Sequence, residues 1–175
     1  MFSVTVGDYM LLCSPDGLVG YTIYRDRAQL VEEFDLKDPE GAACFFAVHN
    51  KNASILLVVA QRYSPAGHGF DPGIALIPET YILFLGAGRR LLAYDLSAPR
   101  RLWEDTCNMG FWCWRRHGDY IVMSSELEMA AWDIHARKLW TQFVEPPWHY
   151  TVSNGIVHLD LMGQKSSFPL AIGPA

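Results

Sequence analysis

The second half of the chain repeats itself. Tyr81-Ile82-Leu83-Phe84, Leu92-Ala93-Tyr94-Asp95-Leu96 and Arg101-Leu102-Trp103 are echoed by Tyr120-Ile121-Val122-Met123, Ala130-Ala131-Trp132-Asp133-Ile134 and Lys138-Leu139-Trp140. Tyr81 and Tyr120 lie 39 residues apart, Asp95 and Asp133 38, and Trp103 and Trp140 37, so one residue is lost in each of two turns and none within a strand. A degenerate third copy is read from Ile156-Val157-His158-Leu159-Asp160-Leu161 to Phe168, with Asp-to-aromatic spacings of 8, 7 and 8 across the three copies. A repeat of this length is one supersecondary unit that cannot cover its own apolar face, so neighbouring units must stack.

Gly and Pro cut the chain into short segments rich in β-branched and aromatic residues, the pattern of successive hairpins. Strands are expected at Phe2–Val6, Tyr9–Cys13, Leu18–Tyr24, Cys44–His49, Ile55–Gln61, Tyr81–Leu85, Leu91–Leu96, Phe111–Arg115, Tyr120–Met123, Met129–Ile134, Leu139–Phe143, Trp148–Val152 and Ile156–Leu161. Arg27–Phe34 is the one segment with room for a helix, though its Leu30, Val31 and Phe34 spacing suits a strand end equally, and Tyr63–Pro78, with its Gly and Pro, reads as the longest loop. Within each repeat the apolar residue before Asp ends a strand in the core. The carboxylate then accepts N–H groups of the next turn, and the later Trp opens a further strand.

The apolar-Asp, turn, Trp order in these copies resembles the repeats of quinoprotein-like and WD-like β-propellers over residues 80–168. The resemblance implies blade-like hairpins and carries no chemistry, because such repeats host many functions. It departs from the usual pattern in lacking Gly before Trp: Ala98-Pro99 and Ala136-Arg137 occupy that turn, and no quinone is implied. The expected fold is all-β: antiparallel hairpins stacked as propeller-blade-like units, in a small or incomplete propeller or a β-sandwich. A single domain over 1–175 is expected, with 1–79 less regular. At about forty residues per blade there is material for about four, so completion by a second chain stays open.

Of the 175 residues, 50% are hydrophobic and 19% charged, enough apolar side chain to bury a core. A net charge of −5 with no basic face argues against nucleic acid. No apolar run approaches the roughly 20 residues of a membrane helix, and Met1–Asp8 lacks the basic start and apolar run of a leader. The expected setting is cytoplasmic, with Cys13, Cys44, Cys107 and Cys113 reduced and packed as small apolar groups, and with no cofactor.

Candidate sites are few. Gly86-Ala87-Gly88 follows an apolar strand but has Leu91 where a third phosphate-binding glycine would fall, so it reads as a tight turn. Ser124–Glu128 occupies the same repeat position as Gly86–Arg90, which would bring Arg89 and Arg90 to Glu126 and Glu128 as a charged rim. A two-residue Asn154-Gly155 turn sets a register with Ser153 opposite Ile156, Thr151 opposite His158 and His149 opposite Asp160. Two His and a carboxylate on one face are raw material for metal or acid/base chemistry, although Asp160 reads as the structural repeat Asp. Trp112, in Phe111-Trp112-Cys113-Trp114, and Trp148, behind Pro146-Pro147, are core or contact aromatics. The leading reading is a non-enzymatic cytoplasmic protein-binding or scaffold module using Trp148, Trp112, Arg89, Arg90, Glu126 and Glu128. The alternative is a small metal-dependent hydrolase using His149, His158 and Asp160.

Overall fold

In the computed structural model, which describes residues 1–15, 17–38, 40–63 and 71–174, alternating apolar residues turn almost every segment into an antiparallel strand. The elements run β1 (Phe2–Val6), β2 (Tyr9–Ser14), α1 (Tyr21–Arg25), β3 (Leu30–Phe34), β4 (Ala42–Asn50), β5 (Ile55–Tyr63), β6 (Gly73–Ile77), β7 (Ile82–Ala87) and β8 (Arg90–Asp95). They continue with β9 (Arg100–Thr106), β10 (Phe111–His117), β11 (Tyr120–Ser125), β12 (Glu128–Asp133), β13 (Lys138–Phe143), β14 (Trp148–Ser153), β15 (Ile156–Leu161) and β16 (Gln164–Pro169). Four sheets result, in the orders β1-β2-β4-β5-β3, β6-β7-β8-β9, β10-β11-β12-β13 and β14-β15-β16.

The sheets stack in chain order, and the period of two decides which neighbour each residue meets. In β7, Leu83 and Leu85 pack toward the first sheet while Ile82 and Phe84 pack toward the third. In β12, Ala130 and Trp132 face the second sheet, and Met129 and Ala131 face the fourth. Both middle sheets are thus covered on both faces, which is why β7 and β12 are buried along their whole length. At one end, Tyr21 and Tyr24 of α1 lie on Phe45, sealing the outer face of the first sheet. At the other end, the outer face of the fourth sheet carries exposed His149, Thr151 and His158.

One contact recurs between successive sheets. Trp103 of β9 stacks on Trp132 of the next sheet, with ring centroids 5.6 Å apart, and its Nε1 donates to the Ala136 carbonyl at 2.7 Å. Trp140 of β13 meets Phe168 edge-on at 5.4 Å and donates to the Leu170 carbonyl at 2.6 Å. Between the first two sheets the pairing is polar: the Tyr94 hydroxyl donates to Glu32 of β3 at 2.5 Å. Each aromatic that ends a β8, β12 or β16 strand is therefore gripped by the outer strand of the preceding sheet. The repeat Asp closes the following turn. Asp133 accepts from the His135 and Arg137 amides at 2.9 and 3.0 Å and from Arg137 Nε at 2.7 Å. Asp95 accepts from the Ser97 amide and hydroxyl.

Several expectations need correction. Leu18–Tyr24 does not form a strand. Gly20, at φ 81°, turns the chain into α1, whose Tyr21 and Tyr24, three apart, fall on one helical face. Arg27–Phe34 is not helical: Leu30–Phe34 runs parallel to β5, pairing Leu30 with Leu57. Within Tyr63–Pro78, residues 64–70 lie outside the described residues, but Gly73–Ile77 is a strand whose Gly73 pairs with Gly86. A Cβ on either glycine would sit 2.6 Å from the Phe111 ring, so the two bare positions make the slot that Phe111 fills. The third copy is also out of phase. β15 is second in its sheet, as β7 and β11 are in theirs, so Phe168 matches Tyr94 and Trp132 rather than the repeat Trp. Asp160 is consequently not the repeat Asp; it accepts from the Gly163 amide at 2.7 Å in a different turn.

Trp148 is 9% exposed and stacks on Trp112 at 5.2 Å, while Trp112 is half-buried, so both belong to the core between the third and fourth sheets rather than to an exposed contact surface. A β-bulge between Phe111 and Cys113 shifts the alternation there, placing Phe111 and Trp114 together on the opposite face. Cys13, Cys44 and Cys107 are buried and Cys113 is half-buried. Among the described residues no helix is long and apolar enough to cross a membrane.

Trp140→Ala and Trp148→Ala are each expected to lower stability by about 3 to 5 kcal/mol, as for other buried aromatic truncations, and half-buried Trp103→Ala by less, read by urea denaturation. A pH dependence follows from Asp133. Burial opposes its charge, but hydrogen bonds from the Arg137 and His135 amides and the Arg137 guanidinium outweigh burial and hold it below the ordinary carboxylate range. Its stabilising effect is complete above the unfolded Asp value and is lost as pH falls through the lower folded one. Asp133→Asn should therefore be less stable than wild type at neutral pH, with the gap narrowing on acidification below about pH 4 in denaturation series.

Candidate binding cleft

Where β3 and β5 end and β4, β8 and β10 begin, the connections of the first three sheets enclose a cleft of about 830 Å³. Asp35, Asp38, Glu40 and Gly41 form one wall. Arg62 and Tyr63 follow from β5, and the Gly88–Arg90 turn, Thr106, Met109 and Gly110 complete the lining. Gly88 is needed at this turn for two reasons. Its φ is +58°, and a Cβ would fall 2.6 Å from Tyr63 Cβ, so only a bare backbone approaches β5 this closely. The turn is then pinned from below: the Phe111 amide donates to Gly88 O at 2.7 Å, and the Cys107 amide to Arg89 O at 2.9 Å.

The two arginines of the turn have different employment. Arg90 reaches Glu104 at 2.9 Å and Asp35 at 3.0 Å, and its guanidinium lies 4.5 Å over the Phe34 ring, so it ties the second sheet to the first. Arg89 donates through Nε to the Cys107 carbonyl at 3.2 Å and enters no ion pair among the described residues. Arg62, which donates to Gly41 O at 3.1 Å, also enters none among them, and nor do Asp38 and Glu40 across the cleft. Cations and anions thus both line the cleft without an ion-pair partner among the described residues.

The expected rim of Arg89 and Arg90 with Glu126 and Glu128 does not form. Both turns do occupy the same position in successive sheets, but the β9–β10 connection passes between them. Arg89 meets it at Cys107, and Glu128 meets it at the Asn108 amide, 3.0 Å away. Glu128 is buried, and Glu126 is held through its backbone, donating to Gly110 O at 3.1 Å and accepting from Trp148 Nε1 at 3.2 Å. Gly86 lies within β7 and Gly88 in a two-residue turn, so Gly86-Ala87-Gly88 opens no helix.

On the fourth sheet the structure pairs His149 with Asp160, Thr151 with His158 and Ser153 with Ile156. The three groups of the hydrolase reading share a face without converging. His149 Nε2 is 4.0 Å from Asp160. The His158 ring instead spans Ser153 and Ser167, each 2.9 Å from one ring nitrogen, so neither nitrogen is oriented by a carboxylate. Among the described residues no group of three His, Cys, Asp or Glu is placed to hold a metal ion. The buried thiols are poor nucleophiles: burial, with Glu128 nearby, pushes Cys107 up to about 12, and burial pushes Cys44 higher still.

Sequence reading missed most of the cleft. It singled out Gly88, Arg89 and Arg90, but nothing local joins them to the acidic run Asp35-Leu36-Lys37-Asp38-Pro39-Glu40 or to the polar end of β5 at Arg62-Tyr63.

No family model matches the chain, and no curated protein matches it. Among solved structures it is similar to Saccharomyces cerevisiae Sqt1, at 17% identity over 76% of this chain and 42% of that one, with a TM-score of 0.47. It is similar to BamB from Moraxella catarrhalis at 11% identity over 94% and 41%, with a TM-score of 0.46. It is also similar to Kluyveromyces lactis Hsv2p at 13% identity over 73% and 42%, with a TM-score of 0.43. Sqt1 and Hsv2 are WD40 β-propellers and BamB is a quinoprotein-like propeller, and the chain spans about two fifths of the length of each. The protein described above is nearly all β, built of four small blade-like sheets that are antiparallel except for the β3–β5 pair.

Arg90→Ala is expected to cost only about 1 kcal/mol, because partly exposed ion pairs and cation–π contacts are individually weak, and the loss should shrink further in high salt, read by denaturation with and without added salt.

Proposed function

We propose that this chain is a non-enzymatic cytoplasmic protein-binding or scaffold module that takes a polypeptide segment in the cleft between its first three sheets. The observation that carries the reading is a concave site lined both by Arg62 and Arg89 and by Asp38 and Glu40, none of which enters an ion pair among the described residues. Tyr63 and Met109 supply apolar surface between them. Such a site suits a segment carrying charges of both signs, since the lining offers a partner for each. Trp112 and Trp148 take no direct part in it. The hydrolase alternative has less support, because His149, His158 and Asp160 share a face without converging.

Charge reversal separates the cleft from the rest of the surface. Wild type, the Arg62→Glu/Arg89→Glu double variant and a Lys165→Glu control on the fourth sheet are immobilised and used to capture proteins from the native host, with quantitative mass spectrometry. At least one protein should fall tenfold or more with the double variant and persist with the control. Identical captured sets from all three would overturn the reading.

A further inference from the structure

A sheet edge presents unpaired N–H and C=O groups, and natural proteins blunt it with charge, proline or cover. The four sheets have eight edge strands. β3, β9, β10, β13 and β16 each carry Lys, Arg, Asp or Glu, and β14 carries His149. β6 has no charge either, but its residues are half-buried or buried. β1 is different. Phe2-Ser3-Val4-Thr5-Val6 has no charged residue and no proline, and Phe2 to Thr5 are all exposed. Pairing with β2 sets Phe2 opposite Cys13, Val4 opposite Leu11 and Val6 opposite Tyr9, so the three apolar residues share one face, with Phe2 49% and Val4 45% exposed.

We propose that β1 is an interface between two copies of this chain, in which the β1 strands pair antiparallel about a two-fold axis through Val4 and join two five-stranded sheets. The occupant is a second copy because the alternation reads the same in both directions. Phe2 falls opposite Val6 of the second copy, Ser3 opposite Thr5, and Val4 opposite Val4, so every apolar residue meets an apolar residue on one face and every hydroxyl a hydroxyl on the other. The edge carries no side-chain charge, so two molecules of net charge −5 meet there without local repulsion. An isologous contact of this kind closes at the dimer and leaves no further copy to add. Five residues a side is far below the roughly 20 to 30 of a standard stable interface, so a weak association is expected, with a dissociation constant in the micromolar range.

Sedimentation equilibrium over concentrations spanning that range should show the mass rising from monomer toward dimer. Val4→Lys, which sets two ammonium groups face to face on the axis, should raise the dissociation constant tenfold or more while leaving the melting temperature within a few degrees. Val4→Cys tests the register with a small side chain. Directly opposed strand residues have Cα atoms about 4.5 to 5.5 Å apart, within disulfide reach, so under mild oxidation it should yield covalent dimer at least tenfold faster than Met162→Cys, exposed on the fourth sheet. A wild-type mass that stays monomeric, a dimer unaffected by Val4→Lys, or Val4→Cys cross-linking no faster than Met162→Cys would each overturn the proposal.

Discussion

Burial of both faces of the second and third sheets is the constraint from which the rest of the structure follows. A strand with only one covered face alternates apolar and polar residues, whereas a strand inside a stack has no face left for polar ones. β7 and β12 show the consequence, buried at every position and divided between two clusters by residue parity. Such strands offer few side-chain hydrogen bonds, so polar contacts retreat to the strand ends and turns. There Asp95 and Asp133 organise the chain, and indole N–H groups reach carbonyls of the adjacent sheet. Trp103 and Trp140 act twice, filling the space between sheets and satisfying a turn carbonyl that stacking would otherwise leave dry.

The repeat was legible because its signals are local: an aromatic and Asp at the end of one strand, and a Trp seven or eight residues later. The register around Asn154-Gly155 was legible for the same reason, since a two-residue turn dictates pairing on both flanks. What failed was phase and context. In the third copy, Asp160 and Phe168 mimic the repeat spacing, yet β15 occupies the second place in its sheet. Only pairing reveals that. α1 was missed because Tyr21 and Tyr24 suit either period, and β3 stayed open between helix and strand because Leu30, Val31 and Phe34 do too. Docking on Phe45 selected helix for one, and an open position beside β5 selected strand for the other.

The cleft was much less legible than the fold. Arg89 and Arg90 stood out as neighbours in a turn, but their partners come from distant segments, Asp35 in one direction and Cys107 in the other. The pairing expected from repeat symmetry, Arg with Glu across adjacent turns, ignored the connecting strand that must pass between two stacked sheets. Trp148 was misjudged because Pro146-Pro147 suggests an exposed connector, whereas the chain after it re-enters the stack and the indole lies flat on Trp112.

The two ends of the stack are finished by different means, and this gives the molecule a weak direction. The first sheet has α1 on its outer face, while the fourth presents hydrated His149, Thr151 and His158. In nearest-neighbour terms, detaching either middle sheet breaks two interfaces, and lifting the three strands of the fourth breaks one. Fluctuations should therefore begin at β14–β16 and travel inward, with the Trp140 to Leu170 hydrogen bond as the first clasp to open.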